Sequence, residues 1–304
     1  MLLESKTSDG PESGDALGFC WVPQTLDPAT GFRSHSRIAY YDPVASRPNL
    51  QLVTGHLVEK ILFDNDLTAI GLLQLSGIGP KKVLKAAGVE VLLDKPAVGA
   101  NFQDHPVTYL SWNLTNLAFP NDGTISTNAS YNSSAWQEYV TNHTGPYTQA
   151  ASQDAAFLSL SQLSSKSKEI IDRLRAQNAS DFLPSIYEDK TLLKGYLLQR
   201  DIILDHFGRT DAAAIEIPIT ATGPGACAIE KPLSRGTIEL NPLSPLSQPT
   251  ITYNTLSNPL DGLLLSECIR YVRSYYISPL LTNYHPIELS PGPQAQSTRR
   301  FSPR

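Results

Sequence analysis

The chain has 304 residues, 24 Lys and Arg against 29 Asp and Glu, and a formal net charge of −5. A mildly acidic chain without a basic run lacks the electrostatic footprint of a nucleic-acid binder. No apolar stretch approaches the roughly 18 residues that a membrane helix needs, so neither nucleic acid nor membrane is an expected partner.

Taken in chain order, residues 1–30 read as an irregular lead-in, with no secretory signal visible at the N terminus. Strands are expected over 50–54 and 58–63. Gly79-Pro80 then opens a short helix over 81–87, since proline suits a first helical position and Gly88 suits the left-handed residue beyond the end. Val83, Leu84 and Ala87 give that helix one apolar face. A strand over 89–93 and a turn at Asp94-Lys-Pro96 follow, then a strand over 107–113. Residues 114–150, rich in Asn, Ser and Thr, read as a long loop region. A helix is expected over Ser165–Asn178, with Ile170, Ile171 and Leu174 inward. Ile215, Ile217 and Ile219 alternate as in a strand, and Pro218 argues for an edge position. Short strands are expected at 237–240 and 250–253. Ser257-Asn-Pro259 starts a helix through Tyr276, with Leu264, Cys268, Val272 and Tyr275 on one side.

Three literal strings carry more than shape. They are Ser76-Gly-Ile-Gly-Pro80, Ala87-Gly88-Val89, and Val98-Gly99 with Asn101 and Gln103-Asp-His-Pro106. In order and spacing they resemble the glucose–methanol–choline (GMC) oxidoreductases, FAD enzymes that oxidise alcohols. Upstream, Asp27-Pro-Ala-Thr-Gly-Phe-Arg33, Ala39-Tyr-Tyr-Asp-Pro43 and Val53-Thr-Gly55 are similar to the same family, as are Pro232-Leu-Ser-Arg-Gly-Thr237 and Glu288-Leu-Ser-Pro-Gly292 downstream. The resemblance implies a mixed α+β and α/β fold, a partial FAD-binding domain of that type plus an antiparallel-sheet substrate domain. It divides the chain into a partial FAD-binding domain over 1–104, a substrate-binding domain over 105–235, and a truncated return segment over 236–304. It implies FAD as cofactor and a small-molecule alcohol as substrate. It sets Val58 against the FAD adenine; on its residues alone Val58 is equally a plain strand valine.

Other parts of the family pattern are missing. A Rossmann-type site needs a Gly-rich turn that lets backbone approach the pyrophosphate at a helix N-terminus. Residues 1–10 are polar and contain no such turn. Gly223-Pro-Gly-Ala-Cys-Ala228 fits the glycine pattern loosely, but no clean strand precedes it and Pro232 stands where a helix should run, so it reads as a loop. At Gly71 the chain passes straight into Leu72-Leu73, which fits either an internal deletion near 71 or a divergent short loop. Flavin-driven alcohol oxidation also needs a base for the hydroxyl proton. His285-Pro286 lacks the Gly-Thr that the resemblance demands after it, so no catalytic residue is assigned. His105 reads as a structural histidine at the domain junction or as a catalytic one. The other histidines have no metal-ligand spacing and no metal site is expected. The three cysteines, Cys20, Cys227 and Cys268, include no Cys-x-x-Cys and suggest neither a disulfide framework nor zinc.

Five Asn-x-Ser/Thr sequons, at Asn113, Asn128, Asn132, Asn142 and Asn178, read either as glycosylation sites on exposed loops of a secreted protein or as chance in an Asn/Ser-rich region. Two functions follow. One is an FAD-dependent alcohol oxidase or dehydrogenase, in small-molecule metabolism. The other is a catalytically inactive truncated fragment, or a secreted glycoprotein keeping only the substrate-domain fold.

Overall fold

A computed structural model describes residues 17–22, 25–27, 29–59, 70–121, 123–149, 154–220 and 223–295. Its first half contributes β1 (Gly18–Trp21), α1 (Ile70–Leu75), β2 (Ile78–Gly79), α2 (Lys81–Ala86), β3 (Leu93–Asp94), β4 (Val107–Tyr109), β5 (Ser111–Asn113), α3 (Thr124–Thr127) and α4 (Ala129–Asn142). Then come β6 (Asp154–Leu158), α5 (Leu160–Leu163), α6 (Ser167–Ala176), α7 (Lys190–Gly208), β7 (Ile215–Thr220), β8 (Gly223–Pro224) and β9 (Ala226–Ile229). The last part adds β10 (Thr237–Glu239), β11 (Thr250–Thr252), α8 (Pro259–Tyr276) and β12 (Ile287–Ser290). This is an α+β chain, as expected.

The main sheet is antiparallel, in the order β1-β6-β7-β9-β4, with β8 paired to β7. Its inner face carries Ala156, Leu158, Ile215, Ile217, Cys227 and Ile229, and helices α5, α6, α7 and α8 supply the opposing apolar side chains. The expected stripe of α8 is present: Leu264, Cys268 and Val272 are fully buried. Each aliphatic chain so buried is worth about 1.5–3 kcal/mol. Asn258 caps α8 by accepting from Leu260 N, and Pro259 occupies its first turn. In α6, Ile170, Ile171 and Leu174 point inward as their spacing requires. Smaller sheets pair β10 with β11, β12 with β5, and β2 with β3.

Several expectations are corrected. Pro218 lies in the interior of the main sheet, not at an edge. Its carbonyl accepts from Gly225 N at 3.2 Å, so its missing N–H faces the break between β8 and β9. There the Gly225 carbonyl is taken by Leu110 N at 2.9 Å, and the ladder loses nothing to the proline. Residues 114–150 are not one loop, because α4 runs through fourteen of them. Asn128 caps it by accepting from Tyr131 N, and Trp136 and Tyr139 on the helix pack against each other and against Tyr147 beyond it. The strand expected over 107–113 is split between two sheets at Leu110. The strand expected at 89–93 is reduced to Leu93–Asp94. Residues 50–54 form no strand. Val58 and Glu59 lie on irregular backbone, and the rest of the strand expected at 58–63, like the junction preceding Ile70, falls outside the described residues.

Cys227 and Cys268 form a disulfide, which the cysteine pattern had argued against. Both sulfurs belong to the core, where β9 lies against α8. The third cysteine, Cys20, is buried in β1.

Candidate functional site

The strings that carry the resemblance meet in space. Gln74, buried in α1, donates to the carbonyls of Val98 and Ile238 and accepts from Leu240 N at 2.9 Å. The loop after Val98 then runs beside the segment after Ser234. Phe102 N donates to Gly236 O, Gly236 N returns a bond of 2.7 Å to Phe102 O, and Ile238 N donates to Gly99 O. Gly99 has φ +88°, and a Cβ there would stand 2.1 Å from the Ile238 carbonyl. Only glycine allows both the conformation and the approach.

Arg235 anchors this junction from inside. It is 1 % exposed, and its guanidinium donates to Asn101 Oδ1, to the carbonyls of Pro232 and Ser234, and to Gln199 Oε1. Its planar head lies over the Tyr196 ring at 5.2 Å. Burial pushes the Tyr196 hydroxyl up to about 12, and that hydroxyl donates to Leu233 O. Asp261 sits beneath, fully buried at the start of α8. It accepts from Leu233 N, Ser234 N and Ser234 Oγ. The Arg235 and Asp261 side chains are thus spent on holding backbone, which is a positioning job.

A cleft of about 680 Å³ opens beside the junction, lined by Pro80, Lys81, Asp94, Asp189, Glu239 and Leu240 among others. Two of its acids have structural partners: Asp94 accepts from Lys81 N, and Asp189 caps α7 by accepting from Thr191 N and Leu192 N. Those capping bonds hold the Asp189 carboxyl below the usual carboxylate range.

The sequence-derived site residues are dispersed. Val58 is 62 % exposed on irregular backbone. His105 lies at the entry to β4 with half its side chain in solvent, 3.8 Å from Glu230. His285 ends a short 3-10 turn in the left-handed conformation. Glu288, of the Glu-x-x-Pro-Gly string, makes a paired contact with Arg273 on α8, and Arg273 also donates to the carbonyls of Gly292 and Ala295. Gly223-Pro-Gly-Ala-Cys-Ala228 forms β8 and most of β9, so it is sheet rather than the expected loop. Asn113, Asn142 and Asn178 are exposed; Asn128 and Asn132 are half-buried on α4, where Asn132 Oδ1 accepts from the Tyr147 hydroxyl at 2.6 Å.

The residues described do not fit the FAD that the resemblance implies. The position expected against adenine stands free in solvent. At three glycines the room is filled by this chain's own atoms. A Cβ on Gly77 would meet Glu90 O at 2.5 Å, one on Gly236 would meet Thr252 O at 2.2 Å, and one on Gly223 would meet the Tyr276 hydroxyl at 2.7 Å. None of these is a cradle for a pyrophosphate.

Sequence reasoning missed two groupings. Glu216 and Glu230, distant in sequence, converge on His105. Arg235, quoted only as part of a string, is the most interconnected side chain of the junction.

No family model matches the chain. A dehydrogenase of Emericella nidulans, xptC, is 28 % identical over 94 % of this chain and 51 % of its own length. A GMC oxidoreductase family protein of Malassezia sympodialis is 24 % identical over 97 % of the chain and 51 % of its own length. Among solved structures, an FAD-dependent oxidoreductase from Chaetomium thermophilum superposes with a TM-score of 0.89 at 31 % identity, covering 98 % of this chain and 57 % of that one. A fungal aryl-alcohol oxidase does so with a TM-score of 0.85 at 30 % identity, covering 94 % and 54 %. The chain therefore spans about half the length of the curated relatives it matches.

Proposed function

The chain belongs to the glucose–methanol–choline oxidoreductase family, whose cofactor is FAD, and on that premise we propose that it supplies the substrate-side sheet of an FAD-dependent alcohol oxidase or dehydrogenase. The observation that carries this reading is the superposition of nearly the whole chain on an FAD-dependent oxidoreductase and an aryl-alcohol oxidase. The junction built by Gln74, Gly99, Arg235 and Asp261 supports it, because the strings typical of the family are the ones that interlock there. Residues 105–235 would form the substrate domain, with 1–104 and 236–304 flavin-side.

A second reading is favoured by a specific observation. Among the described residues Val58 stands in solvent and Gly77, Gly223 and Gly236 are crowded by this chain's own atoms, which supports reading the chain as a catalytically inactive fragment. The buried disulfide and the exposed sequons Asn113, Asn142 and Asn178 support passage through an oxidising, glycosylating compartment. Expression through a secretory pathway tests both parts at once. The purified chain, incubated with FAD and desalted, is expected to lose all visible flavin absorption and to leave a benzylic alcohol unoxidised. Its mass is expected to fall on enzymatic removal of N-glycans. A yellow preparation that oxidises the alcohol would overturn the inactive reading, and an unchanged mass would overturn the glycoprotein one.

A further inference from the structure

We propose that His105, Glu216 and Glu230 form a zinc-binding site on the face of the main sheet turned away from its helices. The argument begins with register. In β9, Ala228 stands opposite Val107 of β4 on one side and opposite Glu216 of β7 on the other. Continued two residues past the end of β4, along the bond from Ile229 N to Pro106 O, that register brings His105 opposite Glu230. Side chains alternate across a strand, so Glu216, Ala228, Glu230 and His105 share one face, the opposite of Ile215, Cys227 and Ile229 in the core. Ala228 is small, and the three larger side chains lean together over it as diagonal neighbours do.

The ligand atoms that result, an imidazole nitrogen and two carboxylate oxygens, all lie within 4.8 Å of one another. His105 Nδ1 is 3.8 Å from Glu230 Oε1. That Oε1 is screened from solvent and accepts no hydrogen bond, which is costly for a carboxylate oxygen. A second carboxylate, Glu216, faces it. Burial and then the Glu230 charge push the Glu216 carboxyl up, and Lys231, next to Glu230 in sequence, donates to the Ala213 carbonyl. A divalent cation would satisfy the orphaned oxygen and cancel the repulsion in one step.

The donor set selects the metal. An imidazole with two carboxylates suits zinc, whereas magnesium and calcium prefer oxygen donors alone. Zinc bonds of about 2.0–2.2 Å put tetrahedral ligands about 3.4 Å apart. The side chains would close by about 1 Å, which half-exposed rotamers allow, and the solvent side of His105 leaves a fourth position for water. The loop between Val98 and Pro106 would then be tied to the sheet by a metal as well as by the bonds at Phe102. The site is independent of the flavin reading, since none of its residues belongs to the expected flavin contacts.

The test uses the purified chain, stripped with a chelator and titrated with zinc chloride by calorimetry, with bound metal counted by elemental analysis. One zinc per chain and a raised melting temperature are expected, with magnesium chloride at the same concentration giving neither. His105→Ala is expected to abolish binding. Glu216→Gln and Glu230→Gln keep the side-chain shape and remove the like-charge pair. Each is expected to weaken zinc at least tenfold while leaving the metal-free melting temperature equal or higher. Absence of stoichiometric zinc in the unaltered chain would overturn the proposal, and so would unchanged zinc affinity in the three variants.

Discussion

Asp261 shows how one buried charge can organise a motif. It lies in the first turn of α8, where a negative group suits the helix dipole. Burial pushes its carboxyl up, while the three donors it satisfies, two of them backbone N–H groups, pull the other way. Asp261→Ala is therefore expected to cost about 3 kcal/mol or more, because each orphaned buried donor costs about 1–3 kcal/mol. Asp261→Asn keeps one acceptor oxygen and is expected to cost less. Urea denaturation of both variants checks the order, and a loss under about 0.5 kcal/mol for Asp261→Ala would show that the Leu233–Ser234 turn does not depend on it. The sequence exposed Pro232-Leu-Ser-Arg-Gly-Thr237 as a string but not its role. The partners of Arg235 and Asp261 come from three separate segments, and only the fold brings those segments together.

Helix and strand patterns were legible where one periodicity ran unopposed. α8 and α6 follow from their apolar spacing, and α2 follows from Pro80 and from Gly88, whose φ of +69° is the left-handed end expected of it. α4 did not follow, because Asn, Ser and Thr are poor interior helix residues. Its stability comes instead from the Asn128 cap and from aromatic packing with Tyr147, a tertiary effect. The disulfide was equally hidden: Cys227 and Cys268 are 41 residues apart, and no spacing rule joins them. Their pairing depends on β9 lying across α8, and both of those elements are in the core. Closing a loop of that length removes unfolded-state entropy worth about 4 kcal/mol in the chain-entropy model. Replacing both cysteines by serine is therefore expected to lower the stability of the oxidised chain by several kcal/mol. The same substitutions compared under reducing conditions should differ far less. Equal stability of the pair under oxidising conditions would mean that the packing of β9 on α8 holds without the bond.

At the scale of the molecule, burial is uneven. The sheet and helices from Asp154 to Tyr276 contain nearly all the main core, whereas every residue from Ala45 to Glu59 is exposed. Within that stretch Leu52, Val53, Leu57 and Val58 are each more than 60 % exposed. Strands are expected over 50–54 and 58–63, which include Leu52, Val53 and Val58. Among the described residues nothing covers them, and 50–54 form no strand. A segment that buries nothing cannot offset the roughly 1–2 kcal/mol of backbone entropy that ordering each residue costs. Its apolar side chains are then available to other copies of the chain. Changing Leu52, Val53, Leu57 and Val58 together to serine is thus expected to leave the unfolding midpoint nearly unaltered, within the ±0.5 kcal/mol typical of surface changes. The same variant should scatter less light at high protein concentration and bind less of a hydrophobic dye. Light scattering against concentration and a parallel urea titration decide it. A variant that unfolds several degrees earlier, or aggregates as readily as the original, would mean that these side chains are packed within the single chain after all.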